Sequence, residues 1–192
     1  LIFITKANIT SYNEIKSALE AARDDKRPIL IICQNMEDRV LNMLALAKSR
    51  EGFPIVVIKA PSFGRTTDVK LDDLATFTDG VYMHQSRGHD YTRASLDYLG
   101  SANKNKVRKD STVIIEGDGK KEEIEELIIN LEKEKEVAQD TAVKYVLEER
   151  IAGLTSGIGV IKVGGESESE MSEKLDRFVD ASNATQSAIK DG

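Results

Sequence analysis

The chain has 192 residues, 40% of them hydrophobic, enough for one sizeable core and a small second element. Its 27 basic residues are outnumbered by 33 acidic ones, with a net charge of −6 and a pI near 5.1, so no cationic excess is available for a general nucleic-acid partner. No apolar run approaches the roughly 20 residues needed to cross a bilayer, and a single cysteine, Cys33, excludes an internal disulfide.

Strand-like apolar runs are expected at 1–4, 29–33, 55–58, 81–83 and 112–115, with helical periodicity between the first three. This order predicts an α/β or mixed α+β fold, a sheet flanked by helices. A helix is expected over 10–23, capped by Thr10 or Ser11, with Ile15, Ala18, Leu19 and Ala22 on one apolar face. Cys33 ends the second run, where a small buried hydrophobe is the plain reading. The next helix, about 37–48, carries Val40, Leu41, Leu44, Ala45 and Leu46, more apolar surface than one core stripe requires. Two charged helices follow the last of these runs, one with Ile124, Leu127, Ile128 and Leu131, the other around 141–153. The second presents Val143, Leu147, Ile151 and Leu154 at spacings of four, four and three, then breaks at Thr155-Ser156-Gly157. A strand over 158–163 and a helix from about 168 to 190, with Met171, Leu175, Phe178 and Val179 inward, form a smaller unit beyond a boundary near 157. An opening inside a strand, without Met, is expected of a fragment.

Few residues invite a chemical reading. Gly117-Asp118-Gly119-Lys120-Lys121 lacks the Gly-x-x-x-x-Gly-Lys-Ser/Thr spacing that lets successive amides cradle phosphates, and reads as a turn. His84 and His89 have no carboxylate or cysteine at ligand spacing, so no metal site is expected. No Ser-His-Asp order or nucleophile elbow can be assembled, which counts against a stand-alone small-molecule enzyme.

Four segments carry a family resemblance. Lys59-Ala60-Pro61-Ser62-Phe63-Gly64 is similar to a KAPGFG turn, and Asp73-Leu74-Ala75-Thr76-Phe77-Thr78-Asp79-Gly80 to a D-I-A-x-L-T-G-G helix end. The helix, hinge and strand of 146–165 and the later Val179-Asp180-Ala181, Ala184-Thr185 and Gly192 complete the set. Together they resemble group I, GroEL-type chaperonins along nearly the whole chain. The resemblance implies an apical, polypeptide-binding domain over 1–157 and the C-terminal part of an intermediate domain over 158–192.

It further implies two parallel apical helices, about 16–25 and 39–50, that hold unfolded polypeptide on an apolar groove. The matching groove positions are Leu19, Leu41, Ala45 and Leu46, with Lys16 where the family usually has leucine. Asp180 matches the aspartate that positions water for attack on ATP, Gly157 and Gly192 fall at hinges, and Glu168 matches an inter-subunit contact. The equatorial domain and its phosphate loop have no counterpart here. ATP and Mg are therefore expected of a full-length ATPase subunit, and no cofactor of this fragment.

The implied function is a chaperone segment within a homo-oligomeric ring, with unfolded polypeptides and a co-chaperonin as candidate ligands, no nucleic-acid or membrane partner, and a cytoplasmic location. Lys16, Ser62 and Ser156 depart from the family and mark a divergent member. Lys16 also keeps open a binding module or scaffold of the same fold without folding activity.

Overall fold

A strand apolar at every position must be covered on both faces, and the first run is of this kind: β1 (Ile2–Thr5) is buried throughout. The computed structural model describes residues 1–61, 64–108, 111–155 and 167–191. Next come β2 (Asn8–Ile9), α1 (Asn13–Asp24), β3 (Ile29–Cys33), β4 (Asn35–Met36), α2 (Asp38–Glu51), β5 (Ile55–Lys59) and α3 (Arg65–Thr78). The order continues with β6 (Tyr82–Met83), three short 3₁₀ turns, β7 (Ala102–Val107), β8 (Thr112–Gly117), α4 (Lys121–Val137), α5 (Thr141–Thr155) and α6 (Glu168–Asp191).

The central sheet has the order β5-β3-β1-β6 and is parallel, with Ile2 opposite Leu30 and Leu30 opposite Val56. Its two-residue period sorts the core into two layers. Phe3, Ile29, Ile31 and Cys33 meet Ile15, Ala18 and Leu19 of α1 and Val40 and Leu44 of α2. Ile2, Ile4, Leu30 and Ile32 meet Leu71 and Ala75 of α3, with Tyr82. The β2–β4 pair is parallel and β7–β8 antiparallel. The α/β expectation, a sheet flanked by helices, agrees with this architecture.

Several local expectations are corrected. α1 begins at Asn13, because the Glu14 carboxylate accepts from the Thr10 and Ser11 N–H groups (2.9 and 3.3 Å) and draws that turn outside the helix. α2 runs on to Glu51, where Gly52 closes it in the left-handed region at φ 66°. β7, with the sequence Ala-Asn-Lys-Asn-Lys-Val, is absent from the expected strands, since its polar residues carry no apolar period.

The chain divides into two compact units, Leu1–Ser156 and Gly157–Gly192. The expected strand 158–163 and the glycines Gly157 and Gly192 lie outside the described residues. In the second unit, Met171, Leu175, Phe178 and Val179 of α6 were expected inward and are instead 40–51% exposed. No other described element of that unit is present to cover them.

Candidate functional site

A 14-residue helix packed on a sheet needs one apolar stripe, and α2 supplies it with Val40 and Leu44, 1% and 4% exposed. Its remaining apolar residues point outward: Leu41 is 37% exposed, Met43 49% and Leu46 56%, and Ala45 is exposed beside them. Exposed single hydrophobics are ordinary on a protein surface, but α2 carries four, paired by helical spacing as Leu41 with Ala45 and Met43 with Leu46 on its outward side. Met43 had not been singled out from the sequence. Its signal was the same surplus of apolar residues, and its unbranched thioether suits an adaptable contact.

Polar contacts fix α2 beside α1. Arg39, near the start of α2, donates through Nε and Nη2 to the Thr10 carbonyl just ahead of α1 (3.2 and 2.6 Å). At the other ends, Arg23 of α1 pairs with Glu51 of α2 at 2.6 Å and lies over the Phe53 ring. Start is tied to start and end to end, so the two helices run parallel. Such exposed pairs add little stability; their effect is on register.

On α1, Lys16 is exposed and pairs with Glu20 at 3.7 Å, one turn on. Leu19, expected as a groove residue, is placed in the core here. It is 2% exposed, held in the core with Ile15, Ala18 and Ala22, and offers no surface in this arrangement. The structure thus brings Leu41, Ala45 and Leu46 onto the exposed part of one helix and leaves Leu19 beneath it.

The other singled-out residues lie elsewhere. Asp180 is exposed on α6, and Glu168 is the first residue of that helix, its side chain outside the described set. Cys33 is buried, and burial pushes its thiol up to about 11, which suppresses thiolate chemistry. The His84 N–H donates to His89 Nδ1 at 3.1 Å, and no group of three metal-ligating side chains occurs among the described residues.

The glycines of 117–121 have a packing explanation. The Gly119 N–H donates to the Phe77 carbonyl and the Asp118 N–H to Ser101, both at 3.0 Å. A Cβ at Gly117 or Gly119 would overlap the carbonyl oxygens at the end of α3. These amides are occupied by the chain's own backbone, so the turn does not fit a nucleotide phosphate.

A polar cluster packs around the far end of β6. The buried Tyr82 hydroxyl donates to Asp68 at 2.6 Å, Lys6 donates to the same carboxylate at 2.7 Å, and Arg87 grips Asp72 with two bonds of 2.6 and 2.7 Å. The Lys6 and Tyr82 hydrogen bonds hold the Asp68 carboxyl below the usual range. Burial and Asp68 push the Tyr82 phenol up. Every charge in the cluster is satisfied internally, as in a structural brace.

Over all 192 residues the chain is 40% identical to the mitochondrial chaperonin CPN60-1 of Cucurbita maxima and to the mitochondrial chaperonin CPN60 of Arabidopsis thaliana. The chain matches a segment of a GroEL-type chaperonin. It spans 33% of the length of those curated relatives. The chaperonin gp146 of bacteriophage EL, crystallised in the presence of ATP-BeFx, shares the fold at a TM-score of 0.72 and 20% identity, covering all of this chain and 38% of that one. No family model matches. Among the described residues, no helix is long and apolar enough to cross a membrane.

Proposed function

We propose that this segment holds non-native polypeptide for a ring-forming, ATP-driven GroEL-type chaperonin, with residues 1–157 as its apical domain and 158–192 as part of its intermediate domain. The observation that carries the reading is the outward apolar surface of α2, where Leu41, Met43 and Leu46 stay 37–56% exposed on a helix fixed parallel to α1. Apolar burial is non-directional, worth about 25 cal/mol per Å², and accepts many sequences. One such patch binds weakly. Identical patches around a ring raise the effective concentration of each further contact and strengthen binding by about 10²- to 10⁴-fold.

Leu41→Glu and Leu46→Glu test the site, because both side chains are exposed and a carboxylate there should leave the fold intact. Binding of a denatured, fluorescently labelled protein should weaken at least about tenfold, roughly 1.4 kcal/mol, with an unchanged circular dichroism spectrum. Unchanged binding by folded variants would show that α2 is not the docking surface.

The 117–121 turn has its Asp118 and Gly119 amides occupied by backbone, and the nucleotide role is assigned to the full-length subunit. There Asp180→Ala, with ring assembly and ATP turnover measured on the same sample, tests the hydrolytic assignment; intact rings with undiminished turnover would remove it. The same preparation tests whether a co-chaperonin competes for α2. The lone buried Cys33 suits a reducing compartment such as the cytoplasm, whereas the plant relatives are mitochondrial.

A second reading, a binding module without folding activity, is favoured by Lys16 and its Glu20 partner, which place an ion pair beside the apolar patch. Lys16→Leu separates the two. A gain in denatured-protein binding and in refolding yield by the full-length ring supports the chaperone, whereas binding without any refolding supports the module.

A further inference from the structure

On the face of the sheet away from α1 and α2, the first unit has a cavity of about 800 Å³ walled by α3, α5 and the β7–β8 pair. That volume lies within the range of small-ligand sites, about 300–1,000 Å³. Its lining includes Ile32, Ile58, Leu74, Phe77 and Ile114, an apolar surface continuous with the core layer under α3.

The charges around it are unbalanced. Four cations, Lys59, Lys70, Arg108 and Arg150, stand against two carboxylates, Asp73 and Glu149. Arg150 is taken up by Asp73 in a two-bond contact of 2.7 and 2.8 Å, and Lys70 by Glu149 at 2.8 Å. Lys59 and Arg108 remain, both exposed, with no carboxylate partner among the described residues. Among the described lining residues this is a local excess of two positive charges, in a chain whose net charge is −6.

We propose that this cavity binds an amphipathic organic anion, with a hydrocarbon body against Leu74, Phe77 and Ile114 and a single carboxylate head between Lys59 and Arg108. A neutral hydrophobe would leave both cations unused. A nucleotide or other polyanion would set its charge against the apolar lining. A medium-chain alkyl carboxylate satisfies both halves, since charge-assisted bonds to Lys and Arg fix the head and burial of the chain supplies the affinity. The site is separate from the α2 surface.

Sodium decanoate, below its micelle concentration, is the probe, titrated calorimetrically into the 192-residue chain. Saturable binding at one site is expected, weakened about tenfold by Lys59→Glu and again by Arg108→Glu. Decanol should bind at least about tenfold more weakly than decanoate. Leu46→Glu should leave decanoate binding unchanged. Three results overturn the assignment: no saturable binding, affinity insensitive to both charge reversals or to loss of the carboxylate, or loss of binding in Leu46→Glu, which would place the ligand on α2.

Discussion

Replacing Arg150 by methionine removes the partner of a carboxylate that has little access to water. Arg150 donates to Asp73 through Nε and Nη2 at 2.7 and 2.8 Å, and the two side chains are only 12% and 11% exposed. The pair joins α5 to α3 at the helix that leads out of the first unit. Losing one member of a buried pair costs about 3–5 kcal/mol, because the survivor keeps its desolvation penalty without its partner. The pair borders a cavity that water can enter, so the low end applies, about 3 kcal/mol. For a chain of this size that lowers Tm by roughly 6–12 °C. Arg150→Lys keeps the charge and loses the fork, and should cost about half as much. The double variant Asp73→Leu/Arg150→Met leaves no orphaned charge and should fall within about 1 kcal/mol of the parent. Urea unfolding of the parent, Arg150→Met, Asp73→Leu and the double variant by far-UV circular dichroism gives the coupling energy directly. Single substitutions costing less than about 0.5 kcal/mol, or a double variant equal to their sum, would refute the view that this contact is held as a unit.

Other perturbations probe separate features. Asp79 closes α3 at φ 52°, a left-handed conformation that glycine adopts without a Cβ penalty, so Asp79→Gly should raise stability by about 1 kcal/mol and Tm by roughly 2–4 °C; an unchanged or lower Tm would contradict it. Gly119→Ala forces a Cβ onto the Thr76 and Phe77 backbone and should cost about 1–3 kcal/mol in a urea titration, whereas Gly153→Ala, which meets nothing, should not destabilise. Asp68 has a carboxyl pKa lowered in the folded state, so its contribution is present above the unfolded carboxylate range and is lost as pH falls through the folded value. Asp68→Asn should therefore flatten the acid limb of the stability–pH curve. An acid limb of equal steepness in both proteins would place the pH dependence elsewhere.

The residues that announce themselves in the sequence are those whose neighbours are few in kind. β1, β3 and β5 carry apolar residues on both faces because helices cover both sides of the sheet, and that run is visible without any partner being known. β7 is held by backbone bonds to β8, and its Lys and Asn residues show no apolar alternation, so its pairing depends on register and leaves no hydrophobic trace. Two-residue strands such as β2 and β4 are shorter than any period. The cavity charges are still less legible. Lys59, Lys70, Arg108 and Arg150 come from four separate elements or their edges, and only the fold shows which two are neutralised.

Leu19 shows how a family resemblance and local periodicity can disagree. Its spacing from Ile15, Ala18 and Ala22 puts it on the core face of α1, while the resemblance assigns it to a ligand groove. In this structure Leu19 is buried with those three residues. α2 has no such conflict. Val40 and Leu44 satisfy the core, and Leu41, Ala45 and Leu46 are then surplus to it, so the same residues that overfill a single stripe in the sequence are those exposed in the fold. An exposed leucine is stabilising only when something covers it, and on α2 the core-facing positions are already filled by Val40 and Leu44, which leaves that surface outward. The apolar residues of α2, rather than the ion pair on α1, should therefore dominate affinity for a non-native chain: Lys16→Leu should change binding less than Leu46→Glu does, and the reverse order in a denatured-protein titration would move the docking surface to α1.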